Sequence, residues 1–400
     1  MITYTSVREL LLETYDSDFD LLALVTHYLQ STGTEYEEHY AKARKYLNRV
    51  LSLPELGAIQ WNVPFPPTTN PAFTFVDLFA GIGGFRIAFQ NLGGKCVFSS
   101  EWDRGARNTY ERNFGEVPFG DITKIKATNI PRHDILLGGF PCQAFSIAGH
   151  QGGFEDTRGT LFFDIARILS DKRPSAFFLE NVKGLMHHHG GKTISRILEV
   201  LRGELGYHVP DPRIVNAKDF GVPQNRERVF IIGFLDKQQA DSFKYPTPMV
   251  RKAVFGDVKE STPVSVRYYL SEQYLRGLRN HKERHQAKGH GFGFEIVSDD
   301  SVSNTLVLGG MGKERNLVVD HRLNDFSPIT NIRGPVNKEG IRKMTPREWA
   351  RLQGFPESFI TNAVAETYSY KQIANAVAIP AIEETGKLII RQFMKVNGHE

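Results

Sequence analysis

Phe73-Thr74-Phe75-Val76-Asp77-Leu78-Phe79-Ala80-Gly81-Ile82-Gly83-Gly84-Phe85 is the stretch that decides the fold. An apolar, β-favouring run passes through three closely spaced glycines into 85–92, where Phe85, Ala88, Phe89 and Leu92 recur at helical spacing. Strand, glycine turn and helix in that order open an α/β unit. Outward from this point the rhythm repeats. Strands are predicted at 73–79, 95–100, 134–137, 176–179 and 228–234, with helices such as 85–92, 161–169 and 193–205 between them. Such alternation predicts a mostly parallel sheet with helices on both faces.

The flanks read differently. Residues 1–60 lack strand alternation and suggest helices at 7–15, 20–30 and 36–51, followed by a proline-rich linker at 63–71. From 237 to 341 the rhythm breaks and Gly, Arg, Lys and His become frequent. Six Lys or Arg face two acids between Arg267 and Lys288. Helices resume at 346–352 and 382–396. The expected parts are a helical extension and linker (1–70), a catalytic domain (71–236), an inserted lobe (237–341) and a segment completing the catalytic domain (342–400).

Composition narrows the class. With 400 residues, 40% hydrophobic and 24% charged, the chain is an ordinary globular protein with ample material for a core. Two cysteines build neither a disulfide framework nor a zinc cluster, so no metal is expected and a cytoplasmic location is. The N-terminus has no signal-peptide pattern, and no apolar run nears the ~18 residues of a membrane span. A net charge of +4 permits nucleic-acid binding without demonstrating it.

Around the glycine turn, two acids suggest a ligand. Glu101 ends the second strand, where a carboxylate commonly pairs with ribose hydroxyls, and Trp102 beside it offers a face for adenine. Asp121, in Gly120-Asp121-Ile122-Thr123, is expected to follow the third strand and to accept from an adenine amino group. The set outlines an adenosine pocket without a cationic phosphate clamp, which suits S-adenosylmethionine better than NAD or ATP. The fingerprint G-x-G-x-x-G is absent.

Gly138-Gly139-Phe140-Pro141-Cys142-Gln143-Ala144-Phe145-Ser146 holds one of the two cysteines on a turn after an apolar run. Carboxyl ends of strands are where open α/β sheets keep their chemistry. Glu180-Asn181-Val182 ends another strand, and Gln224-Asn225-Arg226-Glu227-Arg228 lies further on. The set resembles the site of enzymes that act on carbon 5 of cytosine, a poor nucleophile that a thiolate added at carbon 6 activates. That route needs a Cys of lowered pKa and an acid to hydrogen-bond ring nitrogen 3. Cys142 and Glu180 suit those roles, with Arg226 and Arg228 to hold the base's carbonyl. Other cysteine chemistries fit poorly: position 148 is Ala where a phosphatase loop needs Arg, and 145 is Phe where C-x-x-C needs Cys.

In these motifs and their order, 73–236 and 342–395 resemble the bacterial DNA (cytosine-5) methyltransferases of restriction–modification type. The resemblance implies a Rossmann-like S-adenosylmethionine-dependent fold with a smaller inserted recognition lobe. It implies Cys142 as nucleophile with Glu180, Arg226 and Arg228 as catalytic partners. Phe79, Gly81, Gly83, Glu101, Trp102, Asp121, Ile122, Pro141, Leu161 and Asn375 would contact S-adenosylmethionine. Gln143, Ser146, Arg158, Asn181, Gln224 and Thr305 would contact the DNA. In Gln372-Ile373-Ala374-Asn375-Ala376-Val377 the family usually has Gly where this chain has Ala374, which puts the local backbone geometry in question. The family's R-x-x-x-R-L-Q-G-F-P, at 347–356, would pack the two lobes together.

A cytosine inside a duplex must leave the stack to be reached. Gly149, Gly152, Gly153 and Gly159 suit a loop that closes over DNA. The lobe's Arg276, Arg279, Arg284, Lys313 and Arg315 are candidates for groove and phosphate contacts. Its Gly-His-Gly-Phe-Gly-Phe run (289–294) and Thr305-Leu306 resemble enzymes that modify short GC-rich palindromes beginning with two cytosines. The expected partners are double-stranded DNA and, functionally, a cognate restriction endonuclease, with the protein itself a monomer. An RNA cytosine-5 methyltransferase and an inactive DNA-binding regulator are the alternatives.

Overall fold

The computed structural model describes residues 2–15, 18–31, 37–49, 59–141, 161–250, 252–291, 293–309, 311–325 and 334–396. Its centre is a six-stranded sheet: β1 (Phe73–Leu78), β2 (Gly94–Ser100), β3 (Ile135–Gly139), β4 (Ala176–Val182), β5 (Arg213–Asn216) and β6 (Glu227–Phe234), in the order β2-β1-β3-β4-β6-β5. Strands β2, β1, β3 and β4 run parallel, while β6 is antiparallel to both β4 and β5. The expected mostly parallel sheet is found. The edge strand β5 was not foreseen, because four residues with two exposed apolar or charged faces (Arg213 and Ile214) carry no alternation to read.

Helices cover both faces. One face gathers Phe75, Phe85, Phe89, Leu137, Phe178 and Ile232; the other gathers Val76, Leu78, Leu136, Phe162, Phe177 and Ile231. Apolar residues on both sides of a central strand are what a parallel sheet requires. Helix α4 (Gly84–Asn91) starts from Gly83 in a left-handed conformation (φ 89°). A β-carbon at Gly83 would also run into the Phe114 ring. Both facts call for glycine there.

The other helices up to residue 242 include two, Arg104–Phe114 and Lys237–Ser242, that were not foreseen; the rest match predicted helices to within a few residues. In chain order these helices are α1 (Tyr4–Tyr15), α2 (Phe19–Gln30), α3 (Glu37–Leu47), α5 (Arg104–Phe114), α6 (Leu161–Lys172), α7 (Lys192–Glu199) and α8 (Lys237–Ser242). Predicted helix 193–205 is α7 followed by one wider turn, Val200–Glu204. Val7, Leu11, Leu22, Val25 and Leu47 form a separate apolar cluster that also takes in Val117 of the main domain.

Asp121 corrects one expectation. It does not follow the third strand, which is β3; it follows Phe119, a single residue bridged to Ser100. Val117, the next residue back whose N–H would face β2, donates instead to Thr26 Oγ1, so the pairing stops at one residue.

The segment 272–343 carries α9 (Glu272–Gln286) and a small sheet of β7 (Leu317–Val319) and β8 (Ile341–Lys343) around Leu275, Leu278, Phe294 and Leu317. After it come α10 (Pro346–Leu352), α11 (Glu366–Asn375) and α12 (Ile379–Val396). Thr345 and Glu348 form a reciprocal capping box at the start of α10. Trp349, Ile373 and Ile389 return to the main core, with Gly386 letting α12 approach Leu92 and Phe89 of the α4 region.

Candidate active site

The carboxyl ends of β1 to β4 converge on one side of the sheet. At the end of β3, Gly139 pairs in register with Glu180 of β4, three residues before Cys142. Cys142, Gln143, Ser146 and Arg158 lie outside the described residues. Glu180 is 8% exposed, and Arg228 Nε stands 3.0 Å from its Oε1. Burial raises the Glu180 carboxyl above its usual range while Arg228 and Arg226 pull it down. The net direction is upward, toward the protonated acid.

Asn181 next to it donates from Nδ2 to Phe140 O at 2.8 Å, and its Oδ1 accepts from Val182 N at 2.8 Å. In this structure its amide therefore fixes the backbone leading to Pro141. Arg226 was expected beside the base. Its side chain is instead buried, with Nη2 donating to Ala374 O at 3.0 Å and Ala376 O at 2.7 Å. Desolvation lowers it to about 9. Its Nε and Nη1 have no hydrogen-bond partner among the described residues, and with Glu180, Arg228, Val377 and Ala378 it lines a small hollow.

Gln224 and Thr305, expected on the substrate, are turned to protein in this structure. Gln224 is fully buried; its Nε2 donates to Leu352 O (2.9 Å) and its Oε1 accepts from Leu306 N (3.2 Å). Thr305 Oγ1 donates to Asn225 O at 2.6 Å. The segment 224–228 thus reaches the inserted lobe, α10, the 374–376 turn and Glu180 from successive residues. Arg351 adds a link between α10 and the lobe, donating to Val258 O (3.1 Å) and pairing with Glu260 (3.2 Å).

On the cofactor side, Phe79 (φ 56°) and Gly81 (φ 56°) turn the chain out of β1. Glu101, 8% exposed, accepts from Gly81 N and Asp103 N, each at 2.8 Å. Each carboxylate oxygen keeps a second lone pair for a hydroxyl donor. Trp102 is 81% exposed. Asp121 Oδ1 accepts from Thr123 N and Oγ1, and although desolvation opposes it, those bonds hold its carboxyl below the usual range. Ile122 is buried, Leu161 begins α6, Pro141 is exposed and Asn375 is exposed at the end of α11. Ala374 lies inside that helix, where alanine is a favoured residue, so the family's usual glycine is not needed for the backbone seen here.

Two features escaped the sequence reading. Asp77 is fully buried behind the glycine turn, and desolvation pushes its carboxyl up to about 8. An acid inside Val76-Asp77-Leu78 was the available signal. Arg86 and Glu116 form a buried ion pair at 2.8 Å, and nothing in their spacing announces it.

The family model for C-5 cytosine-specific DNA methylases matches residues 73–391. The chain belongs to that family. This C5 methylase is 60% identical over 347 residues to the type II methyltransferase M.HpaII of Haemophilus parainfluenzae, covering 85% of this chain and 96% of the relative. It is 46% identical over 309 residues to M.DsaV of Dactylococcopsis salina, covering 77% and 83%. Among solved structures, the Dnmt2 methyltransferase of S. pombe superposes with a TM-score of 0.60 at 20% identity, covering 80% of this chain and 99% of that one. That likeness speaks for the fold. The expected family and enzyme class, a DNA (cytosine-5) methyltransferase related to type II restriction–modification enzymes, are therefore the ones found, and the RNA and inactive-regulator alternatives are not favoured.

The C5 methylase's own residues fit S-adenosylmethionine. A β-carbon built on Gly81 meets nothing within 4 Å, so open space lies beside the turn, with the Glu101 carboxylate bonded to the Gly81 amide and an exposed indole next in sequence. None of the described helices is long and apolar enough to cross a membrane.

Proposed function

We propose that this methylase modifies carbon 5 of a cytosine flipped out of a short specific site in double-stranded DNA, as the modifying member of a restriction–modification pair. The observation that carries the reading is the buried Glu180–Arg228 pair, in register with the strand that leads into Cys142. Cys142 attacks carbon 6, forming a carbon–sulfur bond and pushing ring electrons toward nitrogen 3 and carbon 5. Glu180 hydrogen-bonds or protonates nitrogen 3 as that charge develops, and Arg228 fixes the carboxyl's orientation. S-adenosylmethionine, when bound, supplies the electrophilic methyl group that carbon 5 takes up. Loss of the carbon-5 proton then expels the Cys142 thiolate and restores the ring.

Phe79, Gly81, Gly83, Glu101, Trp102, Asp121, Ile122, Pro141, Leu161 and Asn375 hold the cofactor. Gln143, Ser146 and Arg158 engage the DNA around the extruded base, and Asn181 and Gln224 serve the same task by orienting backbone. The 237–341 lobe reads the site, a short GC-rich palindrome beginning with two cytosines, and 1–70, 71–236 and 342–400 are the extension and the two parts of the catalytic domain. The enzyme acts as a monomer in the cytoplasm, and the cognate endonuclease is a functional partner.

Radiolabelled methyl transfer to plasmid DNA, with RNA in parallel, followed by bisulfite mapping, tests the reading. Label on DNA at one short cytosine-containing site is expected. Transfer to RNA alone, or to neither polymer, would overturn it.

A further inference from the structure

Helix α2 lies ahead of the region that defines the family, which begins at residue 73. It nevertheless packs directly behind the cofactor side of the sheet. β2 is an edge strand, so its outward donors have no neighbouring strand to pair with. His27 Nε2 accepts from Ser99 N at 3.1 Å, while Nδ1 faces Ala23 O at 2.8 Å. This pairing assigns the proton to Nδ1 of a neutral ring. The preceding residue repeats the device, since Thr26 Oγ1 accepts from Val117 N at 2.9 Å. At the start of α2, Phe19 O accepts from Arg107 Nη2 at 3.0 Å, and the Arg107 guanidinium lies 4.8 Å from the Phe19 ring centroid.

These contacts end on the backbone that carries the adenosine-side residues. Phe119 N donates to Ser99 O and Glu101 N donates to Phe119 O, both at 2.8 Å. Ser100 Oγ donates to Gly120 O at 2.7 Å. The segment 117–121 is thereby pinned to the last turn of β2 from one side and to α2 from the other. It delivers Asp121 and Ile122 at one end, while β2 delivers Glu101. With α2 in place but without the His27 and Thr26 acceptors, the amides of Ser99 and Val117 would be buried donors with no acceptor.

We infer that α2 is a positioning element of the cofactor site, with His27 and Thr26 setting the 117–121 segment against β2 so that Glu101, Asp121 and Ile122 meet adenosine in one geometry. The inference rests on the assignment of those three residues to S-adenosylmethionine. Neither His27 nor Thr26 touches the cofactor; each acts through a backbone amide.

The test uses the full chain and compares His27→Ala, Thr26→Val and His27→Gln with Glu101→Ala. Gln can return an acceptor near the position of Nε2. His27→Ala and Thr26→Val are expected to weaken S-adenosylhomocysteine binding and raise KM for S-adenosylmethionine by about fivefold to tenfold, the scale of one lost buried acceptor. The turnover number at saturating cofactor and the DNA affinity stay within about twofold of wild type, and His27→Gln recovers most of the loss. A purely structural role would lower the melting temperature and the active fraction while leaving KM per active site unchanged. Should His27→Ala fail to fold, Thr26→Val carries the same comparison. Wild-type cofactor affinity in the folded variants, alongside a weakened Glu101→Ala, overturns the inference and leaves the cofactor assignment standing. Unchanged affinity in Glu101→Ala removes the assignment itself.

Discussion

Arg228 Nε sits 3.0 Å from Glu180 Oε1, a diagonal contact across the antiparallel pairing of β4 with β6, in which Glu180 stands opposite Phe230 and Arg228 opposite Val182. Glu180 is buried, so its carboxyl is costly to ionise, and Arg228 compensates for part of that cost. A carboxyl balanced in this way can share a proton with nitrogen 3 of a cytosine. Glu180→Gln keeps shape and one hydrogen-bond donor but cannot follow the developing charge. The turnover number should fall about 100-fold or more, the range of a lost general acid, with DNA affinity changed less than about threefold. Single-turnover methylation and a DNA titration check it; equal losses in both would make Glu180 structural.

Cys142→Ser should nearly abolish transfer and leave cofactor binding close to wild type, because a hydroxyl is not an anion at neutral pH. Wild-type protein should form a denaturation-resistant adduct with DNA carrying 5-fluorocytosine at the target. Electrophoresis without such an adduct would end the covalent mechanism.

Arg226 holds two carbonyls, those of Ala374 and Ala376, on either side of Asn375. Arg226→Met should leave the Ala374 carbonyl without its side-chain donor and Ala376 O with Gln353 Nε2 alone (3.2 Å), and cost about 1–3 kcal/mol of stability. It should also raise KM for S-adenosylmethionine more than it changes DNA affinity, since Asn375 is the residue displaced. Chemical denaturation and initial rates measure the two effects. An unchanged cofactor KM in folded protein would return Arg226 to the base side of the site.

Asp77 gives a pH dependence with a definite sign. Its folded value is raised from 3.8 to about 8 by desolvation, despite the opposing pull of Arg86; Glu101 and Glu116 add to the rise. A raised folded value means that its contribution to stability is fully present below about 4 and is lost as the pH rises toward 8. Asp77→Asn should therefore gain on wild type steadily between pH 4 and 8 in melting temperature. Parallel curves for the two proteins across that range would show that Asp77 does not carry the proton.

Exchange of the 237–341 lobe for that of a related enzyme should transfer sequence specificity while keeping the chemistry. The links at 303–306 use the Ser303, Leu306 and Asn225 amides, the Ser303 carbonyl and the hydroxyls of Ser303 and Thr305, so most of them do not depend on the lobe's other side chains. Arg279 and Arg315 already pair with Glu339 and Glu295, and the Lys313 ammonium lies 3.8 Å from the Tyr370 ring centroid, which leaves Arg276 and Arg284 as the first groove-contact candidates to mutate. Bisulfite sequencing of plasmid methylated by the chimera reads the outcome. A chimera that still marks the original site would move recognition outside the lobe.

Local chemistry was legible from the chain alone. Phe73 to Phe85 spelled strand, glycine turn and helix, because β-favouring side chains, left-handed glycines and 3.6-residue periodicity act over a few residues. The motifs around Cys142, Glu180 and 224–228 pointed to the reaction through their resemblance, in order, to those of the cytosine-5 methyltransferases, and each is marked by its own neighbours in sequence. Decisions made between distant segments were not legible. Arg226 meets Ala374 and Ala376 across 148 and 150 residues, and His27 meets Ser99 across 72. A guanidinium reads the same in sequence whether it will face a base or a buried carbonyl. Only the packed structure decides, by removing water from one of those surfaces and requiring every buried donor and acceptor to find a partner.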